Sequence, residues 1–178
     1  MLGLIEHQHG AHAAAVQLIG QAIAADAAYA PAHLNLGNAL RGLGRHQDAL
    51  ASYDCALGLR PDDPVALNNR GIALRDLGRP SEAIAAYTRA LALRPDYADA
   101  HLNLGIAQLE LGRPDSALAS FERAASLNPQ LANAHLLRGR VLYQRQRFED
   151  ALASYARALD AQPDFFDALE ACGELFAA

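Results

Sequence analysis

Residues 98–131 read ADAHLNLGIAQLELGRPDSALASFERAASLNPQL, and the reading of this stretch decides the fold. Leu102, Ile106 and Leu109 recur at steps of three and four residues, the period of one helical face. Gly112-Arg113 interrupts that face. Pro114 then suits the first turn of a second helix, where its missing N–H costs nothing. The second helix carries Ala117, Phe121 and Ala124, runs to about Leu127 and stops before Asn128-Pro129. The stretch is therefore helix, turn, helix, turn.

The same pattern recurs along the chain at a step of 34 residues. Gly37, Gly71, Gly105, Gly139 and Gly173 keep that step, and so do Ala49, Ala83, Ala117 and Ala151. Tyr53, Tyr87, Phe121 and Tyr155 follow it, as do Ala56, Ala90, Ala124 and Ala158, and Pro61, Pro95, Pro129 and Pro163 close each unit. A period of this length predicts stacked supersecondary units, each too small to bury its apolar side alone. The glycine removes a side chain where helix A meets helix B, the alanine does so from the other side, and the aromatic fills the space beside them. Full repeats are expected at 30–63, 64–97, 98–131 and 132–165. Residues 1–29 read as an incomplete repeat whose first helix begins midway, with Ala15, Ile19 and Ala22 at the Ala-Tyr-Ala positions of its second helix. Residues 166–178 match a first helix only. With no linker or low-complexity stretch, 1–178 reads as one domain.

The Leu104-Gly105 pair with Ala117, Phe121, Ala124 and Pro129, and their counterparts in the other units, resembles the tetratricopeptide repeat family. That resemblance covers nearly the whole chain. It implies an all-α, right-handed superhelical solenoid of antiparallel helix pairs, with the inner positions of helix A lining a concave, protein-binding face.

Composition narrows the function classes. Of 178 residues, 52% are apolar, enough for a linear core. A net charge of −5 without a like-charge block argues against nucleic acid, which demands a basic surface. All 15 basic residues are Arg, so an anion here meets a planar fork and never an ammonium. Cys55 and Cys172 lie several units apart at different repeat positions, too far for a disulfide. Two unpaired cysteines suit a reducing compartment, the cytoplasm. No apolar run is long enough for membrane insertion, and the N-terminus lacks a signal-peptide pattern.

On the resemblance, Asn35, Asn69 and Asn103 line the inner face at one position of three successive repeats. A primary amide both donates and accepts, so it pairs with a peptide main chain of any sequence. Packed helices lie about 8–10 Å apart and an extended peptide advances about 3.3 Å per residue, so one asparagine meets roughly every third residue. The alternative is a local bond that supports the helix. An Asn ladder of this kind is similar to that of O-GlcNAc transferases and their bacterial Spindly-type relatives. It implies, as a second function, the substrate-recognition region of a larger glycosyltransferase with catalysis elsewhere. Asn38, Asn68, Arg41, Arg75, Asp76, Glu110, Arg140 and Tyr143 are placed around the ladder. Arg41, Arg75 and Arg140 are expected to set a charge preference. The lysine-containing clamp of chaperone-binding members is absent.

His33, His101 and His135 repeat at one position, where the family often has a large aromatic, and read as packing residues. His7, His9 and His12 form a lone His-x-His-x-x-His without a nearby carboxylate or cysteine, a weak metal signal. Arg89, Arg123 and Arg157 read as a solvated outward stripe of helix B. No catalytic constellation and no cofactor motif is expected, so the reading is a binding scaffold for a protein or peptide. Both ends stop inside a helix-pair unit. This suggests a slice of a longer array or multidomain protein, or self-association through the terminal helices. The plainer alternative packs Phe166 and Leu169 back on the fourth repeat.

Overall fold

The computed structural model describes residues 2–177, with side chains from residue 10 to 175. It contains ten helices and no strand among these residues. The chain falls into two compact units, residues 1–94 and 95–178. In the first, α1 (Leu2–Ala25) packs on α2 (Ala30–Gly42), and the pairs α2/α3 (His46–Leu59) and α4 (Pro64–Asp76)/α5 (Pro80–Leu93) follow. Helix α3 joins those pairs, and α2 also touches α4. The second unit has the pairs α6 (Ala98–Glu110)/α7 (Pro114–Leu127) and α8 (Ala132–Gln144)/α9 (Phe148–Ala161), then α10 (Phe166–Ala177). Here α7 packs on α8, and α10 on both α9 and α8. The fold class is the expected one: all-α, built from antiparallel helix pairs.

Helices of 13 or 14 residues are marginal in isolation, so their packed faces must supply the stability. The repeated small residues make that packing close. Ala49, Ala83, Ala117 and Ala151 are fully buried, and so are Tyr53, Tyr87 and Phe121. Each aromatic lies on the glycine of its own pair. A Cβ built on Gly71 or Gly105 would sit 2.5 Å from Cε1 of Tyr87 or Phe121. Gly37 and Gly139 meet Tyr53 and Tyr155 in the same way.

The turn between the paired helices is equally regular. After α2, Gly44 N–H donates to the Arg41 carbonyl at 2.9 Å and Arg45 N–H to the Leu40 carbonyl at 2.9 Å. These two bonds form a Schellman motif, whose C′ residue takes a left-handed backbone. That residue is Gly44, Gly78 or Gly112 in three repeats, with φ of 73°, 71° and 67°. In the fourth it is Gln146, at φ 60°.

One expectation needs correction. Residues 1–29 were expected to hold the end of one helix, a turn and a second helix. Instead α1 runs unbroken from Leu2 to Ala25. Gly10, the register equivalent of Gly44, lies inside the helix and is not among the positive-φ glycines. No arginine or proline follows it: the sequence continues Ala-His-Ala-Ala-Ala, in which alanine favours continued helix.

Gln146→Gly should raise stability by roughly 1 kcal/mol, because a side chain in the left-handed region costs about that much. Gly112→Gln should lower it by a similar amount. Urea denaturation of the two variants beside the native chain measures both signs, and a destabilised Gln146→Gly would refute the assignment.

Candidate functional site

The helix-A positions singled out above are distributed over both units. In the first unit, α2 presents Asn35 and Asn38, three residues apart, both exposed. Asn38 is the centre of a polar cluster. Its Oδ1 accepts from the Tyr53 hydroxyl at 2.8 Å and from Nδ2 of Asn69 on α4 at 2.9 Å. Asn68 does not face solvent: it is buried, and its Nδ2 donates to Asn69 Oδ1 at 3.2 Å. The structure therefore joins Asn38, Asn68 and Asn69 in one chain of bonds that ties α2 to α4, and leaves Asn35 open.

Arg41 follows Asn38 by three residues on α2 and is partly buried. Its Nε is buried with no hydrogen-bond acceptor. Arg75, its repeat equivalent on α4, lies 3.8 Å from the Asp76 carboxylate. His46 Nδ1, at the start of α3, approaches the other oxygen of Asp76 at 3.4 Å. Burial raises the Tyr53 pKa, and the neighbouring Arg41 guanidinium offsets part of that rise.

In the second unit, Asn103 is half-buried on α6 and Glu110 is exposed at its last residue. Arg140 and Tyr143 on α8 are brought together with Gln144, Tyr155 and Glu174 around a hollow of about 320 Å³. The Tyr143 ring meets Phe148 edge-on, with centroids 5.6 Å apart. Arg140 occupies the repeat position of Asn38. Burial again raises the pKa of the aromatic beneath, Tyr155, and Arg140 again opposes it.

Tyr53 and Tyr155 are the site residues that the sequence reading missed. It assigned them to packing alone, yet their hydroxyl ends reach the helix-A face. A signal was present: the residue after the saddle glycine is polar in Gly37-Asn38 and Gly139-Arg140, both opposite a tyrosine. It is isoleucine in Gly71-Ile72, opposite Tyr87, and in Gly105-Ile106, opposite Phe121.

The remaining candidates take structural roles. His33, His101 and His135 each donate from Nε2 to the carbonyl six residues earlier. Their acceptors are Ala27 at 2.9 Å, Pro95 at 3.0 Å and Pro129 at 3.1 Å. They pin the start of helix A to the preceding turn. His12 packs on Gly42 of α2, whereas the side chains of His7 and His9 lie outside the described residues. Arg89 is tied to the Pro61 carbonyl at 2.8 Å and to Asp62 at 3.3 Å. The acids at the start of helix B each hold an arginine three residues earlier: Arg45–Asp48, Arg79–Glu82 and Arg147–Asp150. In the third repeat Ser116 stands at that position, and Asp115 pairs with Arg145 instead. Both cysteines are free thiols, and among the described residues no helix is long and apolar enough to cross a membrane.

The phenol of Tyr53 gives a titration test. Its pKa is raised in the folded state, so the unfolded chain loses the proton first, near the ordinary value of 10.0. Between those two values the folded state holds more protons, and stability falls as pH rises through that window. Native tyrosinate absorbance should therefore lag behind that of the urea-unfolded chain. Tyr53→Phe should remove one late-titrating group; an unchanged late fraction would place the raised pKa elsewhere.

Comparison with known proteins agrees with this architecture. Two tetratricopeptide repeat family models match, one over residues 28–96 and the other over 68–132, 104–164 and 136–178. The crystal structure of MamA is 25% identical, with 89% of this chain and 92% of that one covered and a TM-score of 0.78. YrrB, described as a TPR protein with an unusual peptide-binding site, is also 25% identical, with 91% and 84% covered and a TM-score of 0.73. Pseudomonas aeruginosa pilF, at 23% identity, shares the fold with a TM-score of 0.81 over 98% of this chain and 85% of its own. No curated protein matches the chain. The repeat register, the glycine–aromatic pairing and family matches that together span residues 28–178 lead to one conclusion: the chain belongs to the tetratricopeptide repeat family.

Proposed function

We propose that this chain is a protein-interaction scaffold whose α2/α4 face grips an extended, acidic segment of a partner protein. The observation that carries the reading is Arg41: its Nε is buried, lacks an acceptor and sits one helical turn from exposed Asn38. A buried donor without a partner is costly. A carboxylate entering there would form a charge-assisted bond, stronger than a neutral one. Asn35, one turn earlier on α2, supplies an amide for the peptide main chain, and Asn69 adds its remaining bonding capacity from α4.

The likeness to YrrB, a TPR protein with a peptide-binding site, supports a peptide as ligand. In the second unit, Arg140 and Tyr143 beside the Tyr155 hollow offer a cation and an aromatic surface to the same class of ligand. The free, exposed thiol of Cys55 fits a reducing compartment such as the cytoplasm. Asn35 and Asn69 on the adjacent helices α2 and α4 support a second reading, the substrate-recognition region of a larger glycosyltransferase. A parent polypeptide without a glycosyltransferase domain would remove that one.

A peptide array probed with the purified chain tests the main reading. Acidic extended peptides should bind, and binding should weaken with added salt as a charge contact does. Arg41→Ala should reduce affinity about tenfold, equivalent to about 1.4 kcal/mol. A double Asn35→Ala, Asn69→Ala variant should weaken all bound peptides alike, because amides read the main chain. Equal affinities across native chain and variants would sink the proposed face.

A further inference from the structure

A hollow lies on the helix-B side of each unit, at the same place in the repeat. In the first unit it measures about 450 Å³, lies among α3, α4 and α5, and is lined by Asp54, Arg70 and Arg89. In the second it measures about 410 Å³ and lies among α7, α8 and α9. Its lining includes Glu122, Arg138 and Arg157, each two repeat steps after its counterpart.

The arginines of the first hollow are already neutralised. Arg70 Nε donates to Asp54 Oδ1 at 2.6 Å. Arg89 Nη2 donates to the Pro61 carbonyl at 2.8 Å and pairs with Asp62 at 3.3 Å. Two cations meet two carboxylates.

The second hollow keeps both arginines and changes what surrounds them. Gln130 stands at the position of Asp62, and Arg157 has no hydrogen bond or ion pair among the described residues. Arg138 Nε reaches Glu122 Oε1 only at 3.3 Å, and its Nη1 donates to Ser154 Oγ at 2.6 Å. One positive charge is left without a carboxylate. The rest of the lining becomes smaller or more polar: Leu57, Gly58 and Leu67 give way to Ala125, Ser126 and His135. His135 Nε2 donates to the Pro129 carbonyl at 3.1 Å, so Nδ1 is the ring nitrogen still able to bond. Ser126 Oγ already donates to the Arg123 carbonyl, which leaves recognition to the two arginines and His135.

We propose that the α7/α8/α9 hollow binds the phosphate monoester of a phosphorylated serine or threonine on a partner protein. Arg157 offers all its N–H donors and Arg138 those of Nη2, in the planar fork that matches phosphate oxygens. His135 separates phosphate from carboxylate. A neutral Nδ1 carries a lone pair, which repels a carboxylate oxygen but accepts the proton that a phosphate monoester retains up to about pH 6. Passed to the imidazole, the same proton makes Nδ1 a donor. Either way the group and its proton together offset the one surplus positive charge. The hollow is open, with Glu122, Ser126 and Arg157 exposed. A free small molecule needs most of its surface covered, whereas a phosphate projecting from a partner chain needs only its head group held. Arg138 stands about 200° around α8 from Arg140, so this site and the acidic-peptide reading use different surfaces.

Nuclear magnetic resonance of the arginine Nε–H groups in the native chain reads the binding. The probes are a phosphoserine tripeptide flanked by glycines, the same peptide with serine or glutamate, and inorganic phosphate. The phosphopeptide should shift the Arg138 and Arg157 signals saturably in the millimolar range. The serine peptide should leave them in place, and the glutamate peptide and inorganic phosphate should bind more weakly. Arg157→Ala should cut affinity about tenfold. Gln130→Asp, which restores the carboxylate of the first unit, should cut it by a similar factor. Both substitutions are at exposed positions, so circular dichroism should stay native. Four results would each overturn the proposal: no saturable shift with the phosphopeptide, a glutamate peptide that binds equally well, inorganic phosphate that binds as tightly, or native affinity in both variants.

Discussion

The contact on which the rest depends is an aromatic ring lying on a glycine. Where Phe121 covers Gly105, the ring occupies the place a Cβ would need. That brings α6 and α7 close enough for Ala117 and Ala124 to be fully buried between helices. Burying an aromatic side chain contributes about 1.5–3 kcal/mol, and the contact recurs in each complete pair. Helices of this length would not persist alone, so both units inherit their order from this repeated contact. The turn is then set by the pair. Once two helices lie antiparallel this closely, the chain must reverse within three residues, and a left-handed residue at the helix end accomplishes that reversal.

The features that recur at the repeat period were legible in the sequence. Gly112-Arg113 was expected to end the first helix of its repeat, which is observed as Ala98–Glu110; the second ends at Leu127 as expected. These boundaries coincide with local punctuation, Gly112-Arg113 and Asn128-Pro129. The exception is instructive. Gly10 holds the register of a turn but lies within α1, since a glycine permits a left-handed backbone without requiring one. At Gly44, Gly78 and Gly112 the following arginine, with its acid three residues on or a proline beside it, starts a new helix. At Gly10 alanines continue the old one.

The site was less legible than the fold, for a physical reason. The ladder positions Asn35, Asn69 and Asn103 follow from the register, but hydrogen bonding depends on which side chains meet across helices, and the register does not encode that. Asn38 was placed around the ladder, yet it is the centre of the cluster because the Tyr53 hydroxyl and Asn69 both converge on its oxygen. Asn68 was placed on the same face and is buried instead. The difference between neighbours such as Asn68 and Asn69 is a rotation of about 100° around the helix. That is enough to move a side chain from the helix-A surface into the packed layer.

The aromatic position also links the packed layer of a repeat to its helix-A surface. Tyr53 on the glycine saddle contributes its ring to packing and its hydroxyl to Asn38 of helix A, whereas the Tyr87 hydroxyl, opposite Ile72, is buried. Where the next residue of helix A is Asn38, the hydroxyl donates and fixes the amide's orientation, which decides what that amide can still offer a ligand. Where it is Arg140, the phenol lies under a cation and beside Glu174. With Phe121 and Ile106 the same geometry is apolar throughout. Substitution at this one pair of positions therefore retunes the surface of a repeat without altering the contact that folds it. A repeat array can in this way vary its helix-A surface while its architecture stays constant.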